Sequence, residues 1–258
     1  MEFVIYEQKE RVGIITINRE KALNALNSAV LNELEQILDS IDTNEVRCLI
    51  ITGAGEKSFV AGADIKEMLD LDKSGGEFFG KKGNDVFAKI ENYVLPVVCA
   101  VNGYALGGGC ELALSCDFRI CSEKAIFGQP EVSLGIVPGF GGTQRLARAV
   151  GMGMAKQMIY TGRNIDAPEA LRIGLVNAVY AQDELMPAAE KLAGIISKNA
   201  PIAVQKSKIA INSGSQLPIN KGTEIETRLF GECFETNDRR AAMGAFVERR
   251  KNIEFFNS

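Results

Sequence analysis

The sequence predicts an α/β fold that passes into a helical C-terminal region, and three observations carry this. Short apolar runs rich in β-branched residues recur at Phe3 to Tyr6, Val12 to Asn18, Cys48 to Thr52, Val97 to Val101 and Leu175 to Tyr180, with the length and composition of strands. Between them lie segments with helical apolar spacing. From Asp183 onward the pattern is almost wholly helical. The opening succession of strand, strand, helix and strand fits a ββα spiral as well as a plain α/β sheet, and these residues alone leave both open.

The elements follow in order. Glu10-Arg11 is the turn between the first two strands. Asn24 to Ile41 carries Leu26, Val30, Leu34, Ile37, Leu38 and Ile41 at a helical period, with Ser28 as a cap near its start. Gly53-Ala54-Gly55 closes the strand at Cys48 to Thr52. Phe59 to Ile65 leaves a strand through small residues and enters a short helix with Asp64 as cap, and Ala61 and Ala63 leave room there for a ligand. Asp70 to Gly83 is polar and glycine-containing and is expected to be a mobile loop. Its Gly75 to Lys82 stretch approaches a phosphate-binding P-loop, but the final Ser or Thr and the preceding strand are missing. Thr143 to Val150, Met152 to Thr161 and Asp166 to Ile173 are helices, the last opening on Asp166 with Pro168 in its first turn and closed by Gly174. Asp183 to Lys198, Pro201 to Asn212, Ile219 to Phe234 and Asn237 to Lys251 complete the chain as helices. Their exposed Leu, Ile and Phe faces suggest subunit contact.

The bulk properties exclude several function classes. The chain has 258 residues, 46% hydrophobic and 24% charged, the balance of an ordinary globular enzyme. A net charge of −4 without a long basic run argues against nucleic acid as the main partner. No apolar stretch approaches the ~20 residues needed to span a bilayer. The N-terminus, M-E-F-V-I-Y-E-Q-K-E, lacks the basic and apolar regions of a secretory signal. The six cysteines form no C-x-x-C pair and read as reduced, mostly buried thiols of a cytoplasmic protein. There is no histidine, which rules out a Ser-His-Asp triad, a Cys-His pair and any His-ligated zinc or haem. Acid–base chemistry near neutrality therefore falls to tuned carboxylates, lysine, tyrosine or cysteine.

Carboxylates and glycines concentrate between Pro96 and Gly142. After the strand at Val97 to Val101, Asn102-Gly103 breaks the chain and Gly107-Gly108-Gly109 runs into a helix over Cys110 to Ser115. Such a triplet allows close backbone approach and leaves first-turn N–H groups free for developing negative charge. Glu111 stands in that first turn, and Glu131 follows 20 residues later on the Gly128-Gln129-Pro130 turn. Either acid alone has a structural explanation, as dipole compensation or as a solvated turn residue. With Val98, Ala100, Leu112, Leu114 and Ile120 flanking them, the two acids are expected near a desolvated pocket. There like charges would split their protonation into one acid and one base.

G-Y-A-L-G-G-G-C-E-L-A, F-G-Q-P-E-V-S-L-G and P-G-F-G-G-T-Q-R-L, with A-G-A-D-I-K-E-M at Ala61 to Met68 and K-A-L-N-A-L at Lys21 to Leu26, resemble the enoyl-CoA hydratase (crotonase) family over essentially the whole chain. The resemblance implies a ββα spiral core over residues 1–195 carrying the acyl-CoA site, and a helical region over 196–258 used in trimerisation. It implies hydration of 2-enoyl-CoA thioesters, with Glu111 and Glu131 as acid/base pair and the Ala63 and Gly108 amides as oxyanion hole. Ala61, Asp64, Ile65 and Lys66, with Lys21, Ala22 and Leu23, are the expected coenzyme A contacts. Amides around Gly139 are expected to help hold water. No metal or redox cofactor is implied, coenzyme A arriving as part of the substrate. Trimers paired into hexamers are implied as well, with Phe246 to Lys251 near a neighbour's coenzyme A. An enoyl-CoA isomerase on the same scaffold and a non-catalytic acyl-CoA-binding subunit are the alternatives.

Overall fold

After an opening hairpin, three consecutive strand pairs each send one member to each of two sheets, and helices return the chain between them. The computed structural model describes residues 1–250 and 253–258. Strands β1 (Val4–Lys9) and β2 (Val12–Ile17) form an antiparallel hairpin, and α1 (Ser28–Ser40) follows. Strands β3 (Cys48–Gly53) and β4 (Ser58–Val60) lead to the short α2 (Ile65–Met68) and the long α3 (Lys73–Glu91). Strands β5 (Val97–Val101) and β6 (Tyr104–Leu106) lead to α4 (Gly108–Ser115). Then β7 (Phe118–Ser122) and β8 (Ile126–Gly128) lead through a 3-10 turn, Glu131–Leu134, to α5 (Gly142–Val150) and α6 (Met152–Thr161). Strand β9 (Asn164–Asp166), α7 (Ala167–Arg172) and β10 (Ala178–Tyr180) complete the core strands. The helices α8 (Leu185–Ser197), α9 (Pro201–Gly214), α10 (Ile219–Cys233) and α11 (Asn237–Val247) end the chain.

One sheet has the order β1-β2-β3-β5-β7-β10 and the other β4-β6-β8-β9. Three successive turns thus give one strand to each sheet, which makes the architecture a ββα spiral rather than a plain sheet. Alternate residues of the larger sheet serve different layers, as strand periodicity requires. Leu49, Ile51, Val97 and Cys99 enter the main core with α1, α3 and α4. Ile50, Val98, Ala100 and Ile120 face Leu185, Ala189 and Ala193 of α8 on the other side. Val98, Ala100 and Ile120 therefore desolvate the α8 interface and not the two acids, as their sequence proximity had suggested.

Two further expectations are corrected. The Asp70 to Gly83 stretch is not a loop: helix α3 begins at Lys73, capped by the Asp72 side chain, which accepts from the Gly75 N–H at 2.8 Å. Its four glycines each cost about 1 kcal/mol of helix propensity. Burial of Phe79, Val86, Phe87 and Ile90 offsets this. Gly83 is glycine for space, because a Cβ there would lie 2.2 Å from the Phe140 ring. That ring packs against Phe79 and Phe87 with centroids 5.2 and 5.6 Å away. Helix α1 is capped by Asn27, whose side chain accepts from Val30 N–H at 2.9 Å, and Ser28 is already helical. At the C-terminus Phe246 and Val247 are exposed, and Lys251 lies outside the described residues.

Candidate active site

Two helix and strand ends meet at the start of α4. Helix α4 begins at Gly108, two residues before the expected Cys110. Gly107 has φ +48°, a conformation that L side chains rarely adopt, and a Cβ on it would lie 2.8 Å from Glu131 Oε1. From the other side comes Ala63. Leu26 donates its N–H to Gly62 O at 2.9 Å and accepts the Asp64 N–H at 2.7 Å, a parallel bridge. In such a bridge the intervening residue, Ala63, turns its own N–H away from Leu26. That N–H and the first-turn N–H of Gly108 have no acceptor among the described residues. A Cβ placed on Gly108 would be 3.4 Å from Ala63 N, so the two amides open on common space.

Glu111 is 1% exposed, and its Oε1 accepts the N–H groups of Phe140 at 2.8 Å and Gly142 at 2.7 Å. Burial pushes its carboxyl up to about 7; the two amides oppose this and the nearby Glu131 charge adds to it. Glu131 is 8% exposed, and burial pushes it up to about 7 as well. Its two oxygens accept from the buried Gln129 amide nitrogen at 2.8 and 3.1 Å, with the amide oriented so that the nitrogen faces the acid. Both acids border one cavity of about 680 Å³, whose other walls include Met68, Leu71, Phe79, Leu134 and Phe140. Two neutral-range carboxyls in an apolar cavity beside two free amides can move protons and hold an oxyanion.

Of the residues singled out in the sequence, Ala61, Ala63, Ile65, Gly108, Glu111, Glu131 and Gly139 line this cavity. Lys21, Ala22, Leu23, Asp64 and Lys66 do not. Lys21 and Ala22 lie in a 3-10 turn, and Leu23 O accepts the Ala61 N–H at 3.0 Å, behind the cavity rim. Asp64 caps α2 and pairs with Arg19 at 3.0 Å, so its carboxylate is committed to structure. The amides of Phe140 and Gly142 serve Glu111, not water; that of Gly139 has no acceptor among the described residues. Gln129 was missed, although it stands in the F-G-Q-P-E motif beside the acid it holds.

Sequence and fold are similar to those of known proteins across the whole chain length. A family profile described as Enoyl-CoA hydratase/isomerase matches residues 7–255. The Short-chain-enoyl-CoA hydratase of Clostridium acetobutylicum is 57% identical over 256 residues, covering 99% of this chain and 98% of that one. The Crotonyl-CoA hydratase of Syntrophomonas wolfei is 52% identical over 251 residues, covering 97% and 96%. The crystal structure of the enoyl-CoA hydratase from Bacillus anthracis superposes with a TM-score of 0.95 at 40% identity, covering 100% of both chains. With the spiral, the glycine-rich helix start and the sequence all in agreement, this chain belongs to the enoyl-CoA hydratase/isomerase family.

Proposed function

We propose that this protein interconverts short-chain trans-2-enoyl-CoA and 3-hydroxyacyl-CoA thioesters, with crotonyl-CoA and 3-hydroxybutyryl-CoA as its substrate pair. The carrying observation is the pair of buried carboxyls, Glu111 and Glu131, on one cavity with the unpartnered Ala63 and Gly108 amides. The names borne by the two relatives above support the short-chain assignment.

Hydration requires water to lose a proton as it attacks C3, C2 to gain one, and the thioester oxygen to carry negative charge in between. Glu111 takes the base role, because two N–H groups on Oε1 favour its ionised form. Glu131 protonates C2. Each transfer contributes ~10²- to 10⁴-fold. The amides of Ala63 and Gly108 hold the enolate oxygen, each worth roughly 3 kcal/mol where water is excluded, and Gly108 adds the dipole of α4. Metal and redox cofactors have no step to perform, since coenzyme A enters with the substrate. Lys21, Ala22, Leu23 and Lys66 belong, on this reading, to the outer path of the nucleotide end.

The active form is a homohexamer, a dimer of trimers, in the cytoplasm. The exposed Ile219, Phe230, Phe246 and Val247 of the C-terminal helices support subunit contact there. No helix among the described residues is long and apolar enough to cross a membrane. Loss of crotonyl-CoA ultraviolet absorbance, followed for wild type, Glu111→Gln and Glu131→Gln, tests the reading. Wild type should turn over, and each variant should lose ~10²-fold or more. Near-normal hydration by Glu111→Gln would overturn the paired acid–base assignment, and a wild type inert on crotonyl-CoA would transfer the assignment to a double-bond isomerase or a binding subunit.

A further inference from the structure

The loop that delivers two amides to Glu111 is itself gripped from behind, and its polar groups are sorted by direction. Over Gly139 to Gly142 two N–H groups, of Phe140 and Gly142, go to Glu111 Oε1. Two carbonyls go to α3 and α5 instead: Gly139 O accepts from Asn84 Nδ2 at 2.7 Å, and Phe140 O from Arg145 Nη1 at 3.0 Å. Arg145 is held in turn, its Nε and Nη2 donating to Glu91 Oε2 at 3.1 and 2.8 Å. Its side chain is only 13% exposed. Gly141 has φ +100°, and a Cβ there would lie 2.2 Å from Arg145 Nη1, so the loop runs hard against the guanidinium.

We propose that Arg145, fixed by Glu91, together with Asn84 acts as a positioning residue for the reaction, locking the Gly139–Gly142 loop so that Glu111 presents one tethered and one free carboxylate oxygen. The proposal rests on the assignment of Glu111 as an acid/base group. Phe140 links the two halves: its N–H, in the peptide with Gly139, donates to Glu111, and its carbonyl, in the peptide with Gly141, accepts from Arg145. Glu111 Oε2 has no hydrogen-bond partner among the described residues and is the oxygen left for water. A misplacement of about 1 Å in such a group can cost about 10²-fold in rate.

Arg145 also acts by charge. Its positive charge opposes the upward push of burial on Glu111. The other titratable or charged groups around that acid are Glu131 on the 3-10 turn, Cys110 beside it on α4, and Asp72 and Lys73 on the α3 wall of the cavity. Glu91 of α3 stands against Arg145. Removing the guanidinium therefore shifts the Glu111 ionisation upward, whereas a purely structural brace would leave it in place.

The test is crotonyl-CoA hydration by Arg145→Gln, Arg145→Lys, Asn84→Ala and Glu111→Gln, with kcat and KM measured across the pH range and thermal unfolding alongside. For Arg145→Gln we expect kcat down ~10- to 100-fold, KM changed far less, and the acid limb moved to higher pH. Arg145→Lys, keeping the charge but not the fork, should restore the limb and only part of kcat. Asn84→Ala, which leaves that charge in place, should lower kcat without moving the limb. It also keeps the proposal testable should Arg145→Gln not fold. Folded Arg145→Gln or Asn84→Ala with wild-type kcat and pH profile overturns the proposal, as does an equal loss in Arg145→Gln without any shift of the limb. Inactive Glu111→Gln beside normal Arg145→Gln and Asn84→Ala would defeat this inference alone, and fully active Glu111→Gln would defeat the acid–base assignment beneath it.

Discussion

Replacing Glu111 by Gln removes a charge from a site that is 1% exposed while keeping an oxygen for the Phe140 and Gly142 amides. In the unfolded chain this carboxyl titrates near its ordinary 4.5, and in the fold near 7. Between those values the folded state binds more protons than the unfolded one. Its stabilising contribution is therefore complete below about 4.5 and is lost as pH rises through about 7. The interval corresponds to roughly 3 kcal/mol. A Gln does not titrate, so Glu111→Gln should gain about 3 kcal/mol relative to wild type between about pH 4.5 and pH 8. Over the same range it should lose ~10²- to 10⁴-fold in hydration. Urea unfolding of both proteins at fixed concentration, repeated at acid and mildly alkaline pH, reads the first quantity, and crotonyl-CoA turnover reads the second. A stability difference that does not change with pH, or an active variant, would refute the reasoning.

Other outcomes follow from the same contacts. The pH profile of kcat/KM should be bell-shaped, falling on the acid side as the base is protonated and on the alkaline side as the acid ionises; like charges hold the two limbs apart around neutrality. A flat profile from about pH 5 to 9 would contradict a carboxyl pair. Gly107→Ala, at φ +48° and with its Cβ 2.8 Å from Glu131 Oε1, should lower turnover more than ~10-fold and stability by about 1 kcal/mol, read by kinetics and melting. Gly83→Ala should cost about 1–3 kcal/mol by forcing the Phe140 ring to move, measured by chemical denaturation. Asn27→Ala should cost about 1 kcal/mol and leave hydration unchanged, since it removes only the α1 cap.

How legible these features were depended on how local their causes are. The hairpin of β1 and β2, the buried strands β3 and β5 and the helices from α5 to α11 follow from periodicity along single segments. Glu111 and Glu131 stood out because no histidine was available and glycines surrounded them. Helix α3 was hidden because one cause of its glycines, the Phe140 ring at Gly83, lies 57 residues away in sequence. The three-residue strands β6, β8 and β9 are too short to show a period, and their partners are non-local. The use of the Phe140 and Gly142 amides was equally invisible, since backbone N–H groups carry no sequence signature. Asn27 and Ser28 are both good caps, and only the chain direction into α1 decides between them.

The smaller sheet explains why the parts of the site converge. Strands β4, β6 and β8 run parallel, so their C-terminal ends lie side by side. Ala61 to Ala63 continues from β4, Gly107 to Glu111 from β6, and Gln129 to Glu131 from β8. Both amides and both acids are thus the first residues beyond three neighbouring strands, in the position where parallel sheets hold ligands. The register of Leu106 opposite Gly128 then sets the offset of Glu131 from the Gly108 amide. A slip of one residue in that pairing would move an acid by about 3.3 Å. That exceeds the reach of a hydrogen bond, so the β6–β8 pairing governs the geometry of the candidate site.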